Sequence, residues 1–196
     1  MDPTVVLVQG ACTDATRWQH VTRRLRRAGP RVIEVANPLR NLSGDAAYLS
    51  SVLASISGPI VLAGHAYGGV VATDAATDHD NVKALVYVAS IAPDKGESGP
   101  DLTGRFPGTL LDQAMQVNPA SGAAHGEPCG EPAWRFIPSW FIYSRRDPVI
   151  PVEASRFMAD RAGAQESVEL PGAAHPLPAS RPQAVAGIIL RAAAAV

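Results

Sequence analysis

Cysteine is scarce: Cys12 and Cys129 are the only ones in 196 residues. That number excludes a multi-disulfide scaffold, and no Cys/His spacing suits a metal. It reads as a reduced, cytoplasmic protein. Long apolar runs are also missing. None approaches the roughly 18 residues of a membrane span. The start, Met1-Asp2-Pro3 and then the short run Val5 to Val8, lacks the basic opening and longer apolar stretch of a secretory leader. Excess charge is absent too. A net charge of −1 gives no footing for nucleic acid or an acidic membrane as partner. The arginines 23, 24, 26 and 27 read as the wet face of a helix. No Gly-x-Gly-x-x-Gly fingerprint occurs, because Gly64 to Gly69 has the wrong spacing, so no dinucleotide is expected. No cofactor and no metal is implied, and a small molecule remains as the expected partner.

With 46% apolar and 18% charged residues, the chain suits one globular domain over residues 1–196 with a sizeable core. Short apolar runs alternate with helical patterns, which predicts an α/β, three-layer architecture around a mostly parallel, six-stranded sheet. The predicted strands are Val5 to Gln9, Arg31 to Val35, Ile60 to Ala63, Val82 to Ala89, Ser139 to Tyr143 and Ser167 to Leu170. Helices are expected over Arg17 to Ala28, from a Ser43 cap to Ser57, from the turn near Gly68 to Asp78, over Pro151 to Ala162, and over Arg181 to Ala195. Between Pro93 and Pro138 the pattern dissolves into Gly- and Pro-rich sequence, with one weak helical stretch from Thr109 to Val117. So long an irregular segment in a compact domain reads as a reduced lid over a site.

The sharpest local signal is Gly64-His65-Ala66-Tyr67-Gly68-Gly69, directly after the third strand and opening a helix. The pattern G-x-S-x-G marks a nucleophile elbow, where a strained turn needs small neighbours so that strand and helix can approach. Every part is here except the serine hydroxyl. A Gly-rich turn of this kind also suits phosphate binding. Two later loops favour the elbow. Asp147 follows the fifth strand in Ser144-Arg145-Arg146-Asp147-Pro148, and His175 follows the sixth in Pro171-Gly172-Ala173-Ala174-His175-Pro176. Nucleophile position, acid and base thus stand in the order that a triad of this kind requires. The N–H of Tyr67 and one from Ala11 or Cys12, after the first strand, are the expected oxyanion donors.

Together these segments resemble the small α/β-hydrolases of the esterase and hydroxynitrile-lyase type. Val6-Leu7-Val8-Gln9-Gly10-Ala11 resembles the V-L-V-H-G-A of that family, Gly64 to Gly69 its G-H-S-Y-G-G, and Asp147 to Pro151 its D-x-x-I-P. Asn81 to Pro93 is similar to the family's strand after the elbow helix. The resemblance implies an enzyme acting on a small, ester-like carbonyl substrate. It covers nearly the whole chain except the lid. Two departures stand out: Gln9 where histidine is common, and Ala66 where serine belongs.

Alanine cannot attack a carbonyl, so an acyl-enzyme at position 66 is excluded. Three readings follow: an enzyme that works with its His175–Asp147 dyad and oxyanion hole alone, an ordinary serine esterase carrying an engineered Ser-to-Ala substitution, or a catalytically silent binder of small ligands. Gln9, Gly10 and His65 are candidate lining residues beside the elbow. Phe106, Leu110 and Trp134 are candidate lid contacts with substrate, and His65 also reads as structural.

Overall fold

A computed structural model describes residues 2–10, 15–108 and 126–196. Six segments of four to nine residues become the strands β1 (Thr4–Val8), β2 (Val32–Val35), β3 (Ile60–Ala66), β4 (Val82–Ser90), β5 (Ser139–Ser144) and β6 (Glu166–Leu170). They form one sheet in the order β2-β1-β3-β4-β5-β6. Each neighbouring pair in it is parallel. Parallel neighbours require crossovers, and these carry the helices α1 (Gln19–Ala28), α2 (Leu42–Ala54), α3 (Tyr67–Ala75), α4 (Gly99–Thr103) and α5 (Val152–Arg161), while α6 (Leu177–Ser180) and α7 (Pro182–Ala194) follow β6.

Both faces of the sheet are covered, and the strands show it in their alternation. Val6 and Val8 of β1 and Ile60 and Leu62 of β3 pack with Leu49 and Leu53 of α2, Val71 of α3 and Met158 of α5. Their neighbours Val5, Leu7, Val61 and Ala63 face the other way, against Val21 and Leu25 of α1 and Ile188 and Ile189 of α7. Successive side chains of a strand point to opposite faces, so a sheet buried on both sides needs a continuous apolar run. Each fully buried Val, Leu or Ile contributes about 1.5–3 kcal/mol to the fold.

Several element ends differ from expectation. The cap of α2 is Asn41, whose side chain accepts from Gly44 N at 3.0 Å; Ser43 lies inside the helix. The acceptor must stand three residues before the N–H it satisfies, and Asn41 does. This helix ends at Ala54 and α3 at Ala75, earlier than their patterns suggested. The first turn of the Arg17 segment is a 3-10 helix, Ala15–Trp18. Strand β3 runs on to Ala66 instead of stopping at Ala63, because its ladder with β4 continues to the pair Ala66 and Ser90.

The described parts of the 93–138 span carry α4 and a 3-10 turn, Ala133–Arg135. A capping box between Ser98 and Asp101 starts α4. Arg161 of α5 fastens this span to the body: its guanidinium donates to Ala92 O at 2.8 Å and pairs with the buried Glu97 at 3.0 Å. The helical stretch expected from Thr109 to Val117 lies outside the described residues. Among the described residues no helix is long and apolar enough to cross a membrane.

The sheet order reverses beside β1: the chain steps outward to β2, then returns to β3. Ligands of open α/β sheets bind at the carboxyl ends of the strands where the order reverses. Those ends are Val8 and Ala66.

Candidate active site

Ala66 stands at the junction of β3 and α3 with φ 50° and ψ −122°. A side chain with a Cβ rarely adopts this conformation, and holding it costs about 1–3 kcal/mol. Its surroundings enforce the turn. The Ser90 hydroxyl donates to Ala66 O at 2.6 Å. Opposite the elbow, β4 carries a bulge: His65 pairs with Val88 and Ala66 with Ser90, skipping Ala89, which has φ 42°. A bulge re-aims a strand locally and is common beside active sites. Close approach explains the glycines. A Cβ on Gly64 would overlap Gly69 N, and one on Gly68 would overlap Val8 O. A Cβ on Gly10 would lie 2.9 Å from the Cβ of Ala66. The end of β1 is therefore pressed against the elbow, with glycine leaving room over position 66.

The two polar partners converge from separate loops. His175 Nδ1 lies 2.7 Å from Asp147 Oδ2. The other carboxylate oxygen of Asp147 accepts from Val149 N at 2.8 Å and Ile150 N at 3.1 Å. The Asp147 side chain is 1% exposed and that of His175 19%, so the acid is sealed in while the base keeps a face toward solvent. With Nδ1–H donating to Asp147, the free Nε2 lone pair is the basic site.

His65 packs beneath this pair. Its ring centroid is 5.1 Å from that of His175, and it meets Trp18 edge-on at 6.4 Å. Its Nε2 donates to His175 O at 3.2 Å, which fixes the tautomer. Burial above all, then the nearby His175 and Arg17, pushes its pKa down from 6.5 to about 3. A neutral His65 adds no charge against a proton on His175. The shift also has a stability consequence with a definite sign. The folded state disfavours the proton that an unfolded chain would take up below pH 6.5, so this stabilisation is full above 6.5 and is lost as pH falls toward about 3. Each unit in that window removes ~1.4 kcal/mol. His65→Gln keeps a donor near the Nε2 position but cannot titrate. In urea melts from pH 7 to pH 4 its stability is expected to fall less steeply than that of the unmodified chain; parallel curves would refute this.

The Tyr67 ring is fully buried and its hydroxyl donates to Asp45 Oδ2 at 3.0 Å. Burial first, then the Asp45 charge, holds the phenol well above its ordinary range. Its backbone N–H opens α3, at the positive end of the helix dipole. Asp45, Ser90 and Asn37 were not singled out from sequence. Asn37 donates to Gln9 O at 2.5 Å and so holds the loop after β1. In sequence Ser90 is a polar residue inside an apolar run and Asp45 an acid in the first turn of a helix, both weak signals.

Gln9 is half-buried and Gly10 buried, both at the end of β1 beside the elbow. Ala11, Cys12 and Leu110 lie outside the described residues. Phe106 is half-buried and packs on Phe157 of α5 at 5.6 Å between ring centroids. Trp134 is a core residue, 8% exposed, with Nε1 donating to Pro93 O at 2.8 Å and the Arg161 guanidinium 5.3 Å from its ring. Phe106 and Trp134 thus fasten the 93–138 span to α5. No group of three or more His, Cys, Asp and Glu among the described residues suits a metal ion.

Comparison with known proteins identifies the family and the fold. The profile of the alpha/beta hydrolase family matches residues 5–188. The chain belongs to that family. A pyrethroid hydrolase from Sphingobium faniae is similar in structure, with a TM-score of 0.77, 21% identity and 98% of each chain covered. Polyneuridine aldehyde esterase gives a TM-score of 0.71 at 19% identity, over 97% of this chain and 99% of the other. A methylesterase from Arabidopsis gives 0.71 at 18%, over 99% and 100%. At such identities the likeness speaks for the fold. No curated protein matches the sequence.

Proposed function

We propose that this α/β-hydrolase is a serine-free enzyme acting on a small, ester-like carbonyl substrate, with His175 as general base and Asp147 orienting it. One observation carries the proposal above the others: the Asp147–His175 bond at 2.7 Å, with the second carboxylate oxygen tied to two backbone N–H groups. A dyad so fully satisfied is pre-organised for proton transfer, and it does not depend on a hydroxyl at position 66. The reaction class is carried over from the neighbours, whose names are those of hydrolases and esterases.

In this mechanism a water beside Ala66 gives its proton to His175 Nε2 as its oxygen attacks the carbonyl carbon. The carbonyl oxygen becomes an oxyanion, held by the N–H of Tyr67 and that of Ala11 or Cys12. Collapse breaks the bond to the leaving group, and His175 returns the proton to the departing alkoxide. Asp147 holds the imidazole in the required tautomer and stabilises its protonated form. Triads deprived of a member keep about 10³–10⁴-fold catalysis over water, so slow turnover without the serine is chemically reasonable. The segment 93–138 serves as the lid of this single-domain enzyme.

His175→Ala is expected to abolish turnover of a panel of p-nitrophenyl esters while affinity for a non-hydrolysable ester analogue changes little. Turnover equal to that of the unmodified chain would refute the mechanism. Ligand affinity without turnover in both proteins would instead fit a silent binder.

A further inference from the structure

One buried hydroxyl joins the loops that carry the acid and the base. Ser144 is the last residue of β5 and is fully buried. Its hydroxyl donates to Ala173 O at 2.9 Å and accepts from Ala173 N at 3.0 Å and from Arg146 N at 3.2 Å. A serine hydroxyl offers one donor and two acceptor lone pairs, and all three are used here. Arg146 directly precedes Asp147, and Ala173 stands two residues before His175. Nearby, Arg145 is also tied to the end of β6, its N donating to Leu170 O and its side chain pairing with Glu169. Beyond these bonds the loops leave the sheet, and the Ser144 hydroxyl joins them before they reach the dyad.

We infer that Ser144 is a positioning residue for the dyad: by fixing the peptides at Arg146 and Ala173 it sets the separation and ring orientation of Asp147 and His175. The inference rests on the proposed role of the dyad for its kinetic consequence only; the geometric consequence stands by itself. A displacement of about 1 Å between reacting groups can lower a rate about 10²-fold, and two irregular loops with no clip have that freedom.

A matched control lies on the same strand. Ser139, at the other end of β5, is 1% exposed, and its hydroxyl has no hydrogen-bond partner among the described residues. Ser139→Ala and Ser144→Ala therefore remove the same atom from equally buried sites, and only the second removes a link between the loops.

The test uses the full chain and reads the dyad directly. In proton NMR, the His175 Nδ1–H held by Asp147 gives a downfield resonance, identified by its loss in His175→Ala. Ser144→Ala is expected to shift or broaden this resonance, Ser139→Ala to leave it unchanged, and Ser144→Thr, which restores a hydroxyl, to bring it back. In parallel, kcat for any ester the unmodified chain turns over is expected to drop about 10–10²-fold in Ser144→Ala with KM little altered. An unchanged resonance in a folded Ser144→Ala would overturn the inference. Hydrogen exchange on the unmodified protein gives a reading that needs no variant: the Ala173 and Arg146 amides are expected to be protected, and rapid exchange at both would overturn it equally. If no ester is turned over, the proposed function fails while resonance and exchange still decide the role of Ser144.

Discussion

Asp147→Asn is expected to lower turnover about 10³–10⁴-fold while leaving the fold intact. The cause is the tautomer. The Oδ1 of Asp147 accepts from Val149 N and Ile150 N, and a carboxamide keeps those bonds only by placing its oxygen there. Its NH₂ then faces His175 Nδ1, where the carboxylate Oδ2 now sits at 2.7 Å. An NH₂ donates, so Nδ1 must accept, and the imidazole proton moves to Nε2. A base that carries its proton on the working nitrogen cannot take another. The comparable effect in serine proteases has the same origin. Initial rates on the best p-nitrophenyl ester, with a melting curve to confirm folding, check the expectation. A loss below 10-fold would mean that Asp147 is there for the loop alone; the flanking N–H groups make that the strongest competing role.

Ala66→Ser is expected to raise p-nitrophenyl acetate hydrolysis about 10³-fold, or ~4 kcal/mol in the barrier. The backbone already holds the elbow at φ 50° and ψ −122°, the Ser90 hydroxyl secures its carbonyl, and Gly10 leaves space above the Cβ. A serine inherits the strained geometry without any rearrangement, and His175 supplies the base that activates it. The variant is also expected to release a burst of p-nitrophenol equal to the enzyme present, as an acyl-enzyme builds up. In the double variant Ala66→Ser with His175→Ala the gain is lost. No gain in the single variant would show that the site does not hold a serine in an attacking position.

Much of the fold was legible because a parallel sheet buried on both faces writes itself as apolar runs. Ile60 to Ala63 has no polar residue to confuse the reading, and strand β4 is nearly as clear. Chain order did the rest for the site: a Gly-rich turn, an aspartate and a histidine each followed their own strand. What escaped notice depends on contacts across long separations. The buried Asp45 looks in sequence like any acid in a helix's first turn, until Tyr67 OH is found on it. Ser90 and Asn37 act on backbone carbonyls, and nothing in their neighbours' identities announces that. Capping by Asn41 instead of Ser43 came down to a shift of two residues between acceptable oxygens, which composition alone does not decide. The partners of Trp134, Pro93 O for its indole N–H and the Arg161 guanidinium for its ring, are likewise distant in sequence.

The central claim is catalysis by the dyad without a covalent intermediate. Intact-protein mass spectrometry during steady-state hydrolysis of p-nitrophenyl acetate tests it most directly. The account predicts continuing release of p-nitrophenol by the unmodified chain, no burst, and no acetyl adduct, with turnover abolished in His175→Ala. An acetylated protein formed and discharged at the turnover rate, or undiminished turnover in His175→Ala, would contradict it.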